Sequence, residues 1–362
     1  MNALEGILVV ALEQAVAVPT ATCKLADAGA RVIKLERAEG DFARGYDDYA
    51  KGQSSYFVWL NRGKESCRVD LKQQDDRAMV EAMLAQADVF IQNLAPGATG
   101  RLGLGAADLR ARYPRLITCD VSGYAPGTPH HTRKAYDLLV QAESGLAAIT
   151  GTQASGPSRI GVSIADIATG QAAYAAILEA LLRRAKTGRG SAIQLSLFDT
   201  LGDLMNVPYL TRRYGGIEPP RLGLAHPSIA PYGVFSTADG DVLISIQSER
   251  EWQILAREVL GSAALAEDPR FATNVLRVRQ RETVDREVQA ARDALLRRGH
   301  RRARSLCHRL WHRLQRRRPH HTPRRDRPGH PDAVGPRRGP RPARHRRRAA
   351  RDDAPRAGAR PA

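Results

Sequence analysis

Short apolar runs alternate with helix-compatible stretches over the first 125 residues, and this alternation constrains the fold more than any other feature of the chain. Strands are expected at 7–12, 31–36, 88–92 and 116–121, each a short apolar run with turn residues nearby. Between them, 20–28 reads as a helix closed by Gly29, a good C-terminal stop, and 74–87 and 106–113 read as two more. Strand–helix–strand spacing of this kind argues for a parallel, Rossmann-like sheet within an α/β fold.

Further along, 138–187 turns alanine-rich. A long helix is expected over 166–186, stopped at Thr187-Gly188, with a strand in 192–197. Gly215-Gly216 and Pro219-Pro220 mark a junction within 200–225. A smaller α/β region then reads as strands at 232–236 and 242–246 with helices at 251–260 and 282–296. The expected organisation is a large domain over 1–200, a linker and small domain over 201–296, and a separate tail over 297–362.

The tail matters because of charge. The whole chain carries +18, which taken alone suggests a nucleic-acid partner. Residues 297–362, however, hold 23 arginines and only four acids, so the remaining residues are close to neutral and nucleic acid is not the expected partner. The tail has nine prolines, seven of the ten histidines, and no Lys, Glu, Ile, Phe, Tyr, Met or Asn. Such a stretch cannot bury enough apolar surface to offset chain entropy and is expected to be disordered. A genuine nucleic-acid-binding tail fits this composition, and so does off-frame translation of GC-rich coding DNA. We read it as the second, because residues 308–319 allow codons that in the next frame encode Ile-Gly-Phe-Gly-Thr-Val-Ser-Asn-Val-Ala-Asp-Leu, a globular-looking peptide.

Other features narrow the setting. Four cysteines without a CxxC pair fit a reducing, cytoplasmic compartment. No basic-then-apolar leader opens the chain, and no apolar run approaches the ~20 residues that span a bilayer. GxxxxGK[ST], GxSxG and HExxH are all absent. The run Gly100-Arg101-Leu102-Gly103-Leu104-Gly105 reads as a turn before a helix, and Cys307-His308 with His312 makes a weak metal pattern inside the tail. No metal site is expected.

One acid stands out. Asp166 follows Gly161-Val162-Ser163-Ile164-Ala165 at the start of the long helix. The plain reading is a helix N-cap, contributing about 1 kcal/mol. A helix N-terminus also holds a carboxylate ionised and aims it outward, as a nucleophilic aspartate requires.

Several stretches together resemble the family III CoA-transferases, the group of formyl-CoA and carnitine CoA-transferases and α-methylacyl-CoA racemases. They are Gly29-Ala30-Arg31-Val32-Ile33-Lys34-Leu35-Glu36-Arg37, Asn61-Arg62-Gly63-Lys64, Asp88-Val89-Phe90-Ile91-Gln92-Asn93 with Pro96-Gly97, and Lys134-Ala135-Tyr136-Asp137. Ala165-Asp166 with Thr169-Gly170, Lys186-Thr187-Gly188-Arg189-Gly190, His226-Pro227-Ser228-Ile229-Ala230-Pro231-Tyr232 and Asp268-Pro269-Arg270-Phe271 continue the likeness. It runs over roughly residues 5–290 in the family's order.

The resemblance implies a Rossmann-like large domain with a smaller domain, in homodimers whose subunits interlock. It implies that Asp166 attacks an acyl-CoA thioester, that Gln14 lies beside the reacting carbonyl, and that Tyr136 lines the same pocket. Arg37, Lys72, Arg101 and Lys134 fall at family CoA-contact positions, with Asn93 near the pantetheine arm. CoA is a substrate, and no permanently bound cofactor is implied. The racemase branch has a histidine where this chain has Tyr136, a poor general base near neutral pH, so transfer is favoured over racemisation. Glu13-Gln14-Ala15-Val16, Phe42-Ala43-Arg44-Gly45-Tyr46 and Tyr56-Phe57-Val58-Trp59-Leu60-Asn61 look most like members handling short dicarboxylates, such as mesaconyl-, itaconyl- and succinyl-CoA.

Overall fold

A computed structural model describes residues 2–297 apart from 238 and 239. The arginine-rich tail and its Cys307-His308-His312 pattern lie outside the described residues, apart from its first arginine.

Strands β1 (Leu8–Leu12), β2 (Arg31–Glu36), β3 (Glu65–Arg68), β4 (Val89–Gln92) and β5 (Ile117–Ser122) join a later strand in one parallel sheet. Helix α1 (Ala17–Asp27) links β1 to β2, α2 (Ser55–Asn61) precedes β3, and α3 (Gln74–Gln86) leads to β4. Then α4 (Ala98–Arg101) and α5 (Ala106–Arg112) lead to β5, with Gly105 as the residue entering α5, so the glycine-rich run is a turn as expected. The β3 strand and α2 were not anticipated. Glu65-Ser66-Cys67-Arg68 has no apolar alternation, because it forms the sheet's edge and only Cys67 is half-buried.

Beyond β5 come α6 (Asp137–Glu143), α7 (Leu146–Ile149) and the small hairpin β6 (Gly151–Thr152) and β7 (Gly156–Pro157). The long helix α8 (Ile164–Thr187) then delivers the sixth strand, β8 (Ala192–Ser196), followed by α9 (Leu197–Leu204) and α10 (Asn206–Gly215). The sheet order is β3-β2-β1-β4-β5-β8. The chain direction around the sheet therefore reverses between β1 and β4, the position where parallel α/β sheets open a ligand crevice at their C-terminal strand ends.

The pleat divides the core into two layers. Val9, Ala11, Val32, Val89, Ile91, Ile117 and Cys119 pack toward α1, α8 and α9. Val10, Leu12, Ile33, Leu35 and Phe90 pack the opposite way, toward α3 and α5. Strands buried on both faces explain why these segments read as continuous apolar runs.

The later region is built on the antiparallel pair β9 (Tyr232–Thr237) and β10 (Gly240–Ser245). After it come α11 (Glu249–Ile254), a π-helical turn over 255–259, α12 (Ala263–Glu267), α13 (Asn274–Arg279) and α14 (Arg281–Arg297). The buried Arg277 holds this region together. Its Nε donates to Ala230 O at 2.8 Å, its Nη1 pairs with Glu249 at 2.6 Å, and its guanidinium lies over the Trp252 ring.

Helix α8 packs closely on α1 because one residue lets it. A Cβ on Gly170 would fall 2.5 Å from both Ala17 O and Thr20 Cβ of α1. At its far end Arg184 binds Asp88 at 2.7 Å, and Gly188, at φ 72°, terminates the helix as the sequence suggested. Gly170→Ala is expected to destabilise the protein by about 1–3 kcal/mol through overpacking. Gly202→Ala, in the exposed part of α9 with nothing within 4 Å of its Cβ, should instead be neutral or gain up to ~1 kcal/mol. Urea denaturation of the two variants checks the pair.

Candidate active site

The site starts where β1 ends. Residues 13–16 follow β1 at the reversal point, held by two side chains from elsewhere and by the buried side chain of their own first residue. Asn93, just past β4, accepts from Gln14 N and donates to Gln14 O, both at 2.9 Å. Asp41 Oδ1 accepts from Ala15 N at 3.1 Å. Ala15 has φ 60°, a left-handed conformation that a residue with a Cβ adopts at a cost of about 1 kcal/mol or more. The third anchor is Glu13, which is almost fully buried.

Glu13 belongs to an ionic cluster inside the core. Lys64 Nζ lies 2.6 Å from Glu13 Oε1, and Thr22 Oγ1 donates to Glu13 Oε2 at 2.5 Å. Lys34, in the middle of β2, binds Asp41 at 2.6 Å and Asn61 Oδ1 at 3.0 Å and lies 3.6 Å from Glu13. Burial pushes the Lys64 ammonium below the usual lysine range, partly opposed by the Glu13 charge. Asp41 N donates in turn to Glu36, whose pairing with Arg44 and Ser66 overcomes its own burial and lowers its carboxyl to about 2. Sequence reading placed Lys34, Asn61 and Lys64 within matching stretches but assigned them no role. A lysine inside an otherwise apolar strand was the available signal, since a buried ammonium needs a partner.

Beside this loop is a cleft of about 200 Å³ lined by Gln14, Arg37, Asp70, Lys72, Leu94 and Leu102 among others. Three of the expected residues, Gln14, Arg37 and Lys72, thus meet on one cavity, and Asn93 is tied to the first of them. The exposed Arg101 is not among the lining residues, although its neighbour Leu102 is. Lys134 is exposed on the segment before α6 and also stands apart from the lining. Tyr136 is 64% exposed and is not among the residues lining this cleft.

Asp166 stands one turn before Gly170 and so on the face of α8 that meets α1. It is not the N-cap of α8. That position is Ser163, whose side chain makes no capping bond. The cap comes from Asp137 at the start of α6, with Oδ1 accepting from Ala165 N at 2.8 Å and Asp166 N at 3.4 Å. The Asp166 carboxylate is left for other work and accepts no hydrogen bond among the described residues.

Its acidity also departs from expectation. A helix N-terminus alone favours the ionised form, but here burial, seconded by the negative charge of Asp137, raises the Asp166 carboxyl to about 7. Tyr46 lies close enough to feel its charge. Burial and then the Asp166 charge push the Tyr46 hydroxyl up to about 12, so Tyr46 remains a neutral donor. Tyr56 packs edge-on against Tyr46, with ring centroids 5.7 Å apart, and its hydroxyl lies 3.3 Å from Ser163 Oγ. Sequence reading used Tyr46 and Tyr56 only as marks of substrate class and gave Asp137 no role.

The site thus brings together a parallel α/β sheet with a crevice at its reversal point, cations on the lining of that crevice, and a buried acid in the first turn of a helix. The chain belongs to CoA-transferase family III, whose family description matches residues 4–300. It is 38% identical over 291 residues to an acyl-CoA transferase of Fusarium pseudograminearum, covering 78% of this chain and 64% of that one. It is 35% identical over 292 residues to the succinyl-CoA:glutarate CoA-transferase of Mus musculus, covering 80% of this chain and 67% of the other. The chain therefore spans about two thirds of the length of these curated relatives. A solved CAIB/BAIF family protein from Brucella suis superposes with a TM-score of 0.68 at 36% identity, covering 82% of each chain. Among the described residues no helix is long and apolar enough to cross a membrane, and no group of three or more His, Cys, Asp and Glu side chains is placed to hold a metal ion.

The weakened acidity of Asp166 has a consequence for stability. Its folded-state value lies above the usual 3.8, so ionisation opposes folding. The penalty is absent at low pH, grows as pH rises above about 4, and is complete above about 7. Asp166→Asn is expected to be more stable than wild type at pH 8 by on the order of 4 kcal/mol, the gain shrinking toward pH 4. Thermal denaturation of both proteins across this range checks the sign and the slope.

Proposed function

We propose that this chain transfers coenzyme A from an acyl-CoA to a short dicarboxylic acid, with Asp166 as the covalent nucleophile. The carrying observation is that Asp166 stands in the first turn of α8 with its backbone capped by another residue and its carboxylate accepting no hydrogen bond among the described residues, while Arg37 and Lys72 line a cleft together with Gln14. The glutarate-transferring relative in mouse supports the dicarboxylate class.

In this reading an Asp166 oxygen attacks the thioester carbonyl, the C–S bond breaks, and CoA leaves as thiolate. The thiolate then attacks the aspartyl carbonyl of the mixed anhydride, releasing the donor as a carboxylate and leaving an aspartyl-CoA thioester. The acceptor carboxylate repeats these steps in reverse and departs as the new acyl-CoA, regenerating Asp166. Dividing one exchange into acyl transfers of similar energy is ordinary covalent catalysis.

Arg37 and Lys72 meet CoA phosphates, as guanidinium and ammonium groups do. Arg101 and Lys134 add charge nearby, Asn93 lies near the pantetheine arm, and Gln14 and Tyr136 face the reacting groups. CoA comes and goes as a substrate, with no resident cofactor. The active unit is a homodimer, and residues 201–296 form its linker and smaller domain.

Incubation with succinyl-CoA and hydroxylamine, followed by peptide mass spectrometry, tests the chemistry. The expected product is a hydroxamate on the peptide containing Asp166, absent from Asp166→Ala. A folded wild-type protein that yields no such adduct while still exchanging CoA would place the nucleophile elsewhere.

A further inference from the structure

The residue that caps α8 is itself a carboxylate, and it lies within hydrogen-bonding distance of the backbone of the proposed nucleophile. We propose that Asp137 is a positioning residue for the transfer reaction: it orients the Asp166 turn through its two backbone hydrogen bonds and sets a second carboxylate beside the nucleophile. This inference rests on the reading of Asp166 as the nucleophile.

The geometry favours a built device over an incidental contact. Asp137 lies 28 residues before Ala165 in sequence, so the cap is a tertiary contact between α6 and α8. Its second oxygen is also occupied, accepting from Gln141 Nε2 at 2.6 Å one turn along α6. Gln141 is fully buried, and its Oε1 accepts from Ile160 N at 2.9 Å, fixing the strand of chain that leads into α8. A single carboxylate and one amide thereby lock three pieces of backbone: the start of α6, the approach to α8 and its first turn.

A neutral cap would satisfy the helix equally well, since Ser, Thr and Asn cap helices about as effectively as Asp. Placing a second carboxylate there adds repulsion against Asp166, which a purely structural cap does not need. The other groups facing Asp166 cannot supply this charge. Tyr46, which feels the Asp166 charge, is a phenol, and Tyr56 reaches Ser163 as a hydroxyl. The cation on this side is Arg159, half-exposed, whose Nη2 is 3.9 Å from Asp137 Oδ2. A carboxylate that ionises only near neutrality is a stronger nucleophile once ionised than one of ordinary acidity, so the repulsion trades the fraction of reactive enzyme at low pH for reactivity per ionised group.

The test is the exchange of label between succinyl-CoA and 13C-labelled succinate, in which donor and acceptor are the same acid, followed from pH 5.5 to 9. Wild type is expected to show kcat/KM rising to a plateau through an acid limb near neutrality. Asp137→Asn keeps an oxygen for the α8 amides and removes the charge, so its limb should move to lower pH by roughly one unit, with a lower plateau. Arg159→Gln, at the exposed rim, leaves the cap intact and removes the opposing charge, so its limb should move slightly the other way even if the Asp137 variant folds poorly. Gln141→Leu should lower Tm without shifting the limb toward acid. Limbs that stay in place in both charge variants overturn the inference while the transferase reading stands. No label exchange by a folded wild-type enzyme, together with no Asp166 hydroxamate, overturns the transferase reading and this inference with it.

Discussion

The fold of the site depends on a buried lysine. Lys34 stands in the second strand of the sheet where an apolar side chain would pack more cheaply, and its ammonium draws Asp41, Asn61 and Glu13 inward. A buried ion pair contributes little net stability against a well-packed apolar alternative, while losing one partner leaves a charge stranded at a cost of about 3–5 kcal/mol. The energetic logic is thus one of specificity. Each member has only one arrangement that satisfies its charge, and that arrangement fixes the loop after β1, the turn that begins at Asp41, and α2. Asp41 is the hinge of the cluster, since it meets Lys34 with one oxygen and Ala15 N and Ala43 N with the other. The left-handed conformation at Ala15 persists because both of its neighbouring anchors would have to be broken to relax it.

Two electrostatic effects compete at the start of α8, and their sizes decide the outcome. The helix end favours a charged carboxylate by about 0.3–1 kcal/mol, rising to ~2 kcal/mol in buried settings. Taking a carboxylate out of water and setting another beside it costs more, as the carboxyl value of about 7 records. A helix N-terminus in a sequence therefore says where an acid can be placed and says little about how it will titrate. The surrounding packing, supplied by the Gly170 contact with α1 and the ring pair of Tyr46 and Tyr56, decides that.

The large sheet was legible because it is buried on both faces. Apolar runs at β1, β2, β4 and β5 coincide with the strands to within a residue or so, and the capping signal at Gly188 closes α8 where expected. Elements whose stability comes from tertiary pairing were hidden. The edge strand β3 has no pattern of its own, and α2 is too short to show a stripe. At the site, Asp166 and Gln14 stood out through position and resemblance, whereas Asp137, Glu13 and Asp41 act on residues far along the chain. Nothing in a linear reading links position 137 to 165, or 13 to 64. The plain reading of Asp166 as its own helix's cap fails for the same reason, because the true cap arrives from another helix.

The bond pattern between Asn93 and Gln14 has one further implication. The amide of Asn93 binds both the N–H and the C=O of residue 14, so it holds that position much as a neighbouring strand would, without regard to which side chain position 14 carries. Shape and identity are thereby uncoupled at the crevice floor: the backbone is set by residues 13, 41 and 93, and the side chain at 14 remains open to change. Natural variation among relatives, or deliberate redesign, can therefore explore new reacting groups at this position without first having to preserve the fold.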